Sequence, residues 1–354
     1  MTSVSEKAIN SREEYFSVLE DILEKNYESY EMYGKWKRPH IKNYLIERNE
    51  QFDIKKVKEN GYKILETEDR GFFRIKNNES ENFGFLETER DERIWRFSSF
   101  APSYYSDSFV EKWVTSTRYL DRSWFINSTL ATLEKRYIFR GIGLDFYDSL
   151  GDAAERNRFS LKMWTSGELE EYQDKILQLL KDKFSRRSLR LQEMEEERSK
   201  HLFEVYSNGK VTTTFAKNPT YIMNILSDLI TRYKKSLELI EENRGIWGGL
   251  IEIRLSEPIP ESKLDSLLSF FRKGQNPFRL WMTELEKTEK IHRIYGVDLH
   301  TGQKIGLDIT KDSIWINMGS GKDDCGNAAL RISSLLNSYV LGSAELYVGG
   351  VLVV

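Results

Sequence analysis

Apolar residues recur at helical spacing between residues 11 and 31, where Tyr15, Phe16, Leu19, Ile22, Leu23 and Tyr27 fall on one side of a 3.6-residue period. Ser11 and Glu14 stand ahead of that run at the spacing of a capping box, which sets the predicted helix start. A helical or irregular stretch is predicted to about Asn60, broken at Pro39. The period then shortens. Phe72–Ile75 and Phe83–Glu87 flank the polar Asn77-Asn78-Glu79-Ser80 and predict a hairpin. A strand at Ile94–Phe100, a helix at Asp107–Thr117 and strands near Trp124–Glu134, Ile138–Phe146 and Phe159–Trp164 follow. Glu168–Phe184 reads as a helix, with Leu169, Tyr172, Ile176, Leu179 and Leu180 in phase.

Further along, His201–Phe215 predicts a second hairpin turning at Asn208-Gly209, a pair suited to a type I′ turn. The long helix Thr220–Asn243 ends at Arg244-Gly245, with glycine just past the last turn. Strands are predicted at Leu250–Leu255, Phe278–Leu285, Ile291–Leu299, Lys304–Ile309, Ser313–Met318 and Ala344–Val354, and helices at Glu261–Lys273 and Asn327–Ser338. In Phe278–Leu285 both parities carry large side chains, Phe278, Leu280 and Met282 on one and Trp281 and Leu285 on the other, so both sheet faces are expected to be at least partly covered.

The pattern is α+β, with a mostly antiparallel sheet and helices on one face. It also predicts an internal duplication of a strand-helix-strands-helix unit. Leu133-Glu134-Lys135 matches Leu285-Glu286-Lys287, and Arg140–Asp145 matches Arg293–Asp298 at nearly the same offset. The expected division is an N-terminal helical segment 1–60, a first α+β unit 61–200 and a second 201–354. In outline this order resembles the duplicated plan of TATA-box-binding-protein-like folds, or a ferredoxin-like topology, although no motif of the former family is present.

Composition narrows the function classes. Aromatic residues at 13% support a large core, and a net charge of −3 shows none of the basic excess of a dedicated nucleic-acid coat. The single cysteine, Cys325, excludes an intrachain disulfide framework and suits a reducing compartment. No leader pattern and no apolar run of membrane-spanning length is seen, so a cytoplasmic protein without membrane contact is expected.

Catalytic signatures are absent. Asn317–Asp323 mimics a phosphate loop but has Ile316 where the first glycine belongs and Asp323 where the magnesium-binding hydroxyl belongs. Gly141 and Gly143 lack the third glycine of a dinucleotide fingerprint and are expected to permit close packing. Asp145, Asp148, Asp152 and Glu155 lack calcium-loop spacing. His40, His201, His292 and His300 form no zinc pair. No cofactor is therefore expected.

The candidate binding segment is Lys35, Trp36, Lys37, Arg38 and His40, where cations and an aromatic suit either a protein interface or phosphate contact with base stacking. The basic cluster at Lys181–Arg190 is expected to end a helix, and Glu193–Lys200 to be a solvated turn or helix end. The reading with the fewest assumptions is a non-catalytic protein-interaction module. The Lys, Glu, Asn and Ile richness suits a low-GC bacterial setting, where an immunity protein or a defence-system accessory subunit fits. The alternatives are a nucleic-acid-binding protein using a sheet face and an enzyme with an unrecognised site.

Overall fold

The computed structural model describes residues 9–33, 40–49, 52, 54, 62–77, 84–148, 157–165, 171–195, 198–244, 250–272, 278–288, 290–319, 326–340 and 342–354. Among them the chain order begins α1 (Arg12–Tyr33), β1 (Ile41–Arg48), β2 (Tyr62–Glu66), β3 (Phe72–Asn77), β4 (Gly84–Glu87), β5 (Ile94–Ser99), α2 (Ser103–Ser116), β6 (Leu120–Arg122) and α3 (Asn127–Arg136). It continues with β7 (Ile138–Asp148), β8 (Asn157–Trp164), α4 (Glu171–Lys183), β9 (Arg186–Glu195), β10 (Arg198–Tyr206), β11 (Lys210–Ala216) and α5 (Pro219–Glu242). The last third holds β12 (Ile251–Leu255), α6 (Glu261–Arg272), β13 (Leu280–Lys287), β14 (His292–Asp298), β15 (Lys304–Ile309), β16 (Ser313–Met318), α7 (Gly326–Leu336), β17 (Ala344–Val348) and β18 (Val351–Leu352). The class is α+β with antiparallel sheets, as the hydrophobic pattern predicts.

Two compact units form: Met1–Ser123 with Leu191–Val205 and Gly209–Thr231, and Trp124–Arg190 with Tyr206–Asn208 and Arg232–Val354. In the first, the strands run in the order β2-β3-β4-β5-β1-β11-β10, with β6 also on β1. Helices cover both faces of this sheet, not one. Val110 and Trp113 of α2 pack with Tyr44, Ile46 and Phe97, while Tyr15 of α1 packs against Phe72 and Phe85, whose strand parity is opposite. The Tyr44 hydroxyl fixes α2, donating to Asp107 Oδ1 at 2.5 Å and accepting from Ser106 Oγ at 2.8 Å. The capping box at the start of α1 forms as the sequence predicts. Glu14 N donates to Ser11 Oγ at 3.2 Å, and Ser11 N donates to Glu14 Oε2 at 3.2 Å.

In the second unit a seven-stranded sheet runs β13-β14-β15-β16-β12-β17-β18. Its inner face, with Leu280, Met282, Ile294, Leu307, Ile316, Ile253 and Leu346 all buried, receives α6 and α7. Phe271 of α6 packs on Phe278 at 5.0 Å, and Ser333 of α7 donates to Ala344 O at 2.9 Å. Both α6 and α7 thus lie on one face of this sheet. The two units share an order of pairing: a four-strand meander whose last strand pairs with the strand that precedes the meander, β5 with β1 and β16 with β12.

Several elements differ from expectation. Residues 41–48 form a strand, not a helical or irregular stretch. Strand β1 is buried on both faces, Lys42, Asn43 and Glu47 included, so it carries no alternation to read. The stretch Trp124–Glu134 is not a strand. Its β-favouring start, Trp124-Phe125-Ile126, gives way to α3, which buries Leu130 and Leu133 at i,i+3. Arg186–Arg190 and Glu193–Glu195 belong to β9 and Arg198–Lys200 to β10, instead of a helix end and a turn; Leu189 and Leu191, both buried, supply the two-residue period of β9. At Asn208-Gly209 only Gly209 takes positive φ, +77°, so the turn is not type I′. A Cβ at Gly209 would lie 2.6 Å from Ser123 O, so close approach also requires glycine there. The matched Leu133–Lys135 lies in α3 and Leu285–Lys287 in β13, so that match does not join equivalent positions.

Candidate functional site

The outer face of the seven-stranded sheet carries large apolar side chains that no other described residue covers. Alternation along β13 turns Leu280 and Met282 inward and leaves Trp281 and Leu285 outward, 64% and 65% exposed. Covering of both faces, expected from the two parities of Phe278–Leu285, is thus not supplied by the described residues. On β14 the outward residues are Arg293 and Tyr295, the latter 41% exposed. Antiparallel register then sets Tyr295 opposite Gly306 of β15, Gly306 opposite Asn317 of β16, and Asp308 opposite Trp315. Because Gly306 has no side chain, the sheet is low there. A depression of about 730 Å³ results, walled by Tyr295, Trp315, Leu285 and Ile291. A Cβ on Gly306 would meet Tyr295 Cδ2 at 3.4 Å and Asn317 Cβ at 3.6 Å, ordinary contacts, so the gap is a shape and not a steric necessity.

The charges on this face answer one another. Arg293 Nε donates to Asp308 Oδ1 at 2.8 Å and Nη1 to Glu286 Oε2 at 3.0 Å. The Asp308 hydrogen bond and charge raise the Arg293 pKa. Arg254 Nε donates to Glu252 Oε2 at 2.7 Å, and its guanidinium lies 4.2 Å from the Tyr347 ring centre. What the face offers is aromatic and aliphatic surface with Arg293 and Arg254 already paired.

Among the described residues no catalytic constellation lines the depression. His292 is buried, on the opposite parity from Arg293 and Tyr295, with Nδ1 3.3 Å from Glu284 Oε1. His201 is buried in the first unit, its Nε2 3.3 Å from Thr213 Oγ1 and its Nδ1 without a partner. Burial pushes its pKa down to about 3. His300 is buried beside Asp298 at the β14–β15 turn. Asp298 accepts from Thr301 Oγ1 at 3.2 Å and pairs with Arg331 of α7, whose Nε donates to Phe278 O at 2.9 Å. This network ties α7 to the sheet and has no opening. Among the described residues no group of three or more His, Cys, Asp or Glu is placed to hold a metal ion.

Of the segment singled out from sequence, Lys35, Trp36, Lys37 and Arg38 lie outside the described residues, and His40 is half-buried just ahead of β1. Asp152 and Glu155 of the acidic stretch and residues 320–323 of the loop-like segment also lie outside them. Gly143 does permit close packing, since a Cβ there would sit 2.4 Å from Ser188 Oγ. The outer-face residues were missed as a site, although Trp281 and Leu285 on the second parity of one strand were the signal for it.

No solved structure matches the chain. The Methanocaldococcus jannaschii protein named "Uncharacterized protein MJECL33" is 24% identical, the similarity covering 83% of this chain and 83% of that protein. That relative is archaeal, so the comparison lends no support to a bacterial setting. The model of the MJECL33-like protein family matches residues 3–351, and the chain belongs to that family.

Proposed function

We propose that this protein is a non-catalytic protein-binding module and that a partner protein docks on the outer face of the seven-stranded sheet. The observation that carries the reading is the exposed set Trp281, Leu285, Ile291 and Tyr295 around the depression at Gly306, on a face whose arginines are paired with carboxylates. Aromatic side chains around a shallow depression are the usual anchors of protein interfaces. A nucleic-acid surface needs unneutralised cations to displace counterions, and here Arg293 and Arg254 are each matched by acids. Among the described residues no helix is long and apolar enough to cross a membrane.

The test is affinity capture from the native cell with and without nuclease, using the tagged chain and a Trp281→Ser, Tyr295→Ser double variant. A stoichiometric protein that survives nuclease with the parent chain and is lost with the variant is the expected result. Equal recovery by both, or recovery of nucleic acid, overturns the reading.

A further inference from the structure

In the first unit, under α1, the sheet holds a cation that its neighbours do not answer. Arg96 of β5 is 7% exposed. Its Nη2 stands 3.9 Å from Glu87 Oε2. Glu87 is already engaged by Arg12, whose Nε and Nη2 donate to its two oxygens at 3.0 and 2.6 Å. Arg96 Nη1 meets only the sulfur of Met223 on α5, and Nε has no acceptor. A thioether is a weak acceptor for a guanidinium. Arg90, whose side chain is exposed, directs Nη1 at the same sulfur from 3.7 Å.

Two further buried donors lie on this side of the sheet. The Tyr15 hydroxyl, within electrostatic reach of Arg96 and Arg90, has Ser98 nearby but makes no hydrogen bond of normal geometry. Asn43 Nδ2 has none either, and Asn43 stands opposite Ser98, two residues from Arg96 on the same face. Buried donors are nearly always satisfied, and a buried charge is nearly always paired. Here the surplus is of donors and of positive charge, so the missing species is an anion rich in acceptor oxygens.

We propose that Arg96 and Arg90 form the binding site of a small oxyanion, a phosphate or carboxylate group that displaces the Met223 side chain and accepts from both guanidiniums. The planar guanidinium fork matches two oxygens of such a group. Met223 is half-buried, unbranched and flexible, which suits a plug that moves aside. Arg90 at the surface marks the mouth and Arg96 the floor. Burial, followed by the like charge of Arg90 among other contributions, lowers the Arg96 pKa, and an anion between the two relieves both effects. This site lies in the first unit and does not depend on the protein-binding reading of the outer sheet face.

The experiment titrates the full chain with inorganic phosphate and, separately, with succinate, at constant ionic strength against chloride, following the thermal unfolding midpoint and the heat of binding. A saturable upward shift with either anion is expected; phosphate alone identifies a phosphate group and succinate alone a carboxylate. Arg90→Gln should weaken the binding about tenfold, the loss of one charge-assisted contact. Met223→Ala, which removes the plug, should tighten it, and Arg96→Gln should abolish it. If Arg96→Gln fails to fold, Arg90→Gln and Met223→Ala still decide the matter. No saturable shift beyond chloride with either anion, in the parent chain and in Met223→Ala alike, overturns the proposal, as does binding that is unchanged in both Arg90→Gln and Met223→Ala.

Discussion

Arg331 in the second unit and Arg96 in the first are both buried, at 0% and 7% exposure, yet their surroundings treat the charge in opposite ways. Arg331 has a carboxylate, Asp298, and a backbone carbonyl, Phe278 O, in direct contact. Arg96 has a carboxylate 3.9 Å away that already serves Arg12, and a thioether. A buried charge that is fully answered belongs to the architecture, here the attachment of α7 to the β14–β15 turn. A buried charge left unanswered must be stabilised by something the chain does not itself provide. Burial alone therefore says little about an arginine, whereas the count of acceptors around it separates a structural group from a binding one.

The sharpest way to break that contrast is to replace both arginines by methionine. Arg331→Met strands the Asp298 carboxylate, itself 2% exposed, and should lower stability by about 3–5 kcal/mol, the usual effect of breaking a buried pair. Arg96→Met removes a charge without a full partner, leaves Glu87 with Arg12, and should change stability by less than about 1 kcal/mol or raise it. Urea unfolding of the two variants beside the parent chain reads the difference. Equal losses would mean that Arg96 is structural after all.

His201 extends the comparison to a buried group that is neutral. Its folded pKa, about 3, lies below the ordinary 6.5 because burial disfavours the imidazolium. Between those values the unfolded chain takes up a proton that the folded chain refuses. Stability is thus level above pH 6.5 and falls with acid at up to about 1.4 kcal/mol per pH unit toward pH 3. Urea midpoints at pH 7.5, 5.5 and 4.5 for the parent chain and His201→Phe check this, since the variant should lose that part of the slope. Phenylalanine suits the site, where the ring centre lies 4.5 Å from that of Phe203, although it leaves the Thr213 hydroxyl without its partner.

These contrasts also show what the sequence can carry. The strands of the second unit were legible because each buries one face: the burial of β16 alternates residue by residue, with Ile314, Ile316 and Met318 inward. Strand β1 was not, because a strand buried on both sides that includes Lys42, Asn43 and Glu47 looks like neither period. The segment after Leu120 misled through its aromatic start, which belongs to the approach to α3 and not to a strand. The outer face was half legible. Trp281 and Leu285 announced a second apolar parity, but only pairing register places Tyr295 beside Gly306 and Asp308 beside Trp315. Arg96 and Met223 are 127 positions apart, and no local pattern joins them. Charge satisfaction is a property of the folded neighbourhood and has no signature in spacing.

The outer face supplies the smallest expected effect on folding and so the cleanest separation of binding from stability. Gly306→Val fills the depression; Gly306 is itself buried, but a Cβ there meets only ordinary contacts, at 3.4 Å from Tyr295 and 3.6 Å from Asn317, so unfolding should shift by less than about 1 kcal/mol. Partner affinity should nevertheless fall about tenfold or more, because a side chain seated between Tyr295 and Trp315 loses its place. Valine also favours a strand, so any change in folding should be toward stability. An unfolding curve that stays put while capture of the partner weakens would show that the gap in β15 is kept for recognition. A curve that drops by several kcal/mol would instead make Gly306 a packing residue, and the outer face would then have to be tested through Trp281 and Tyr295 alone.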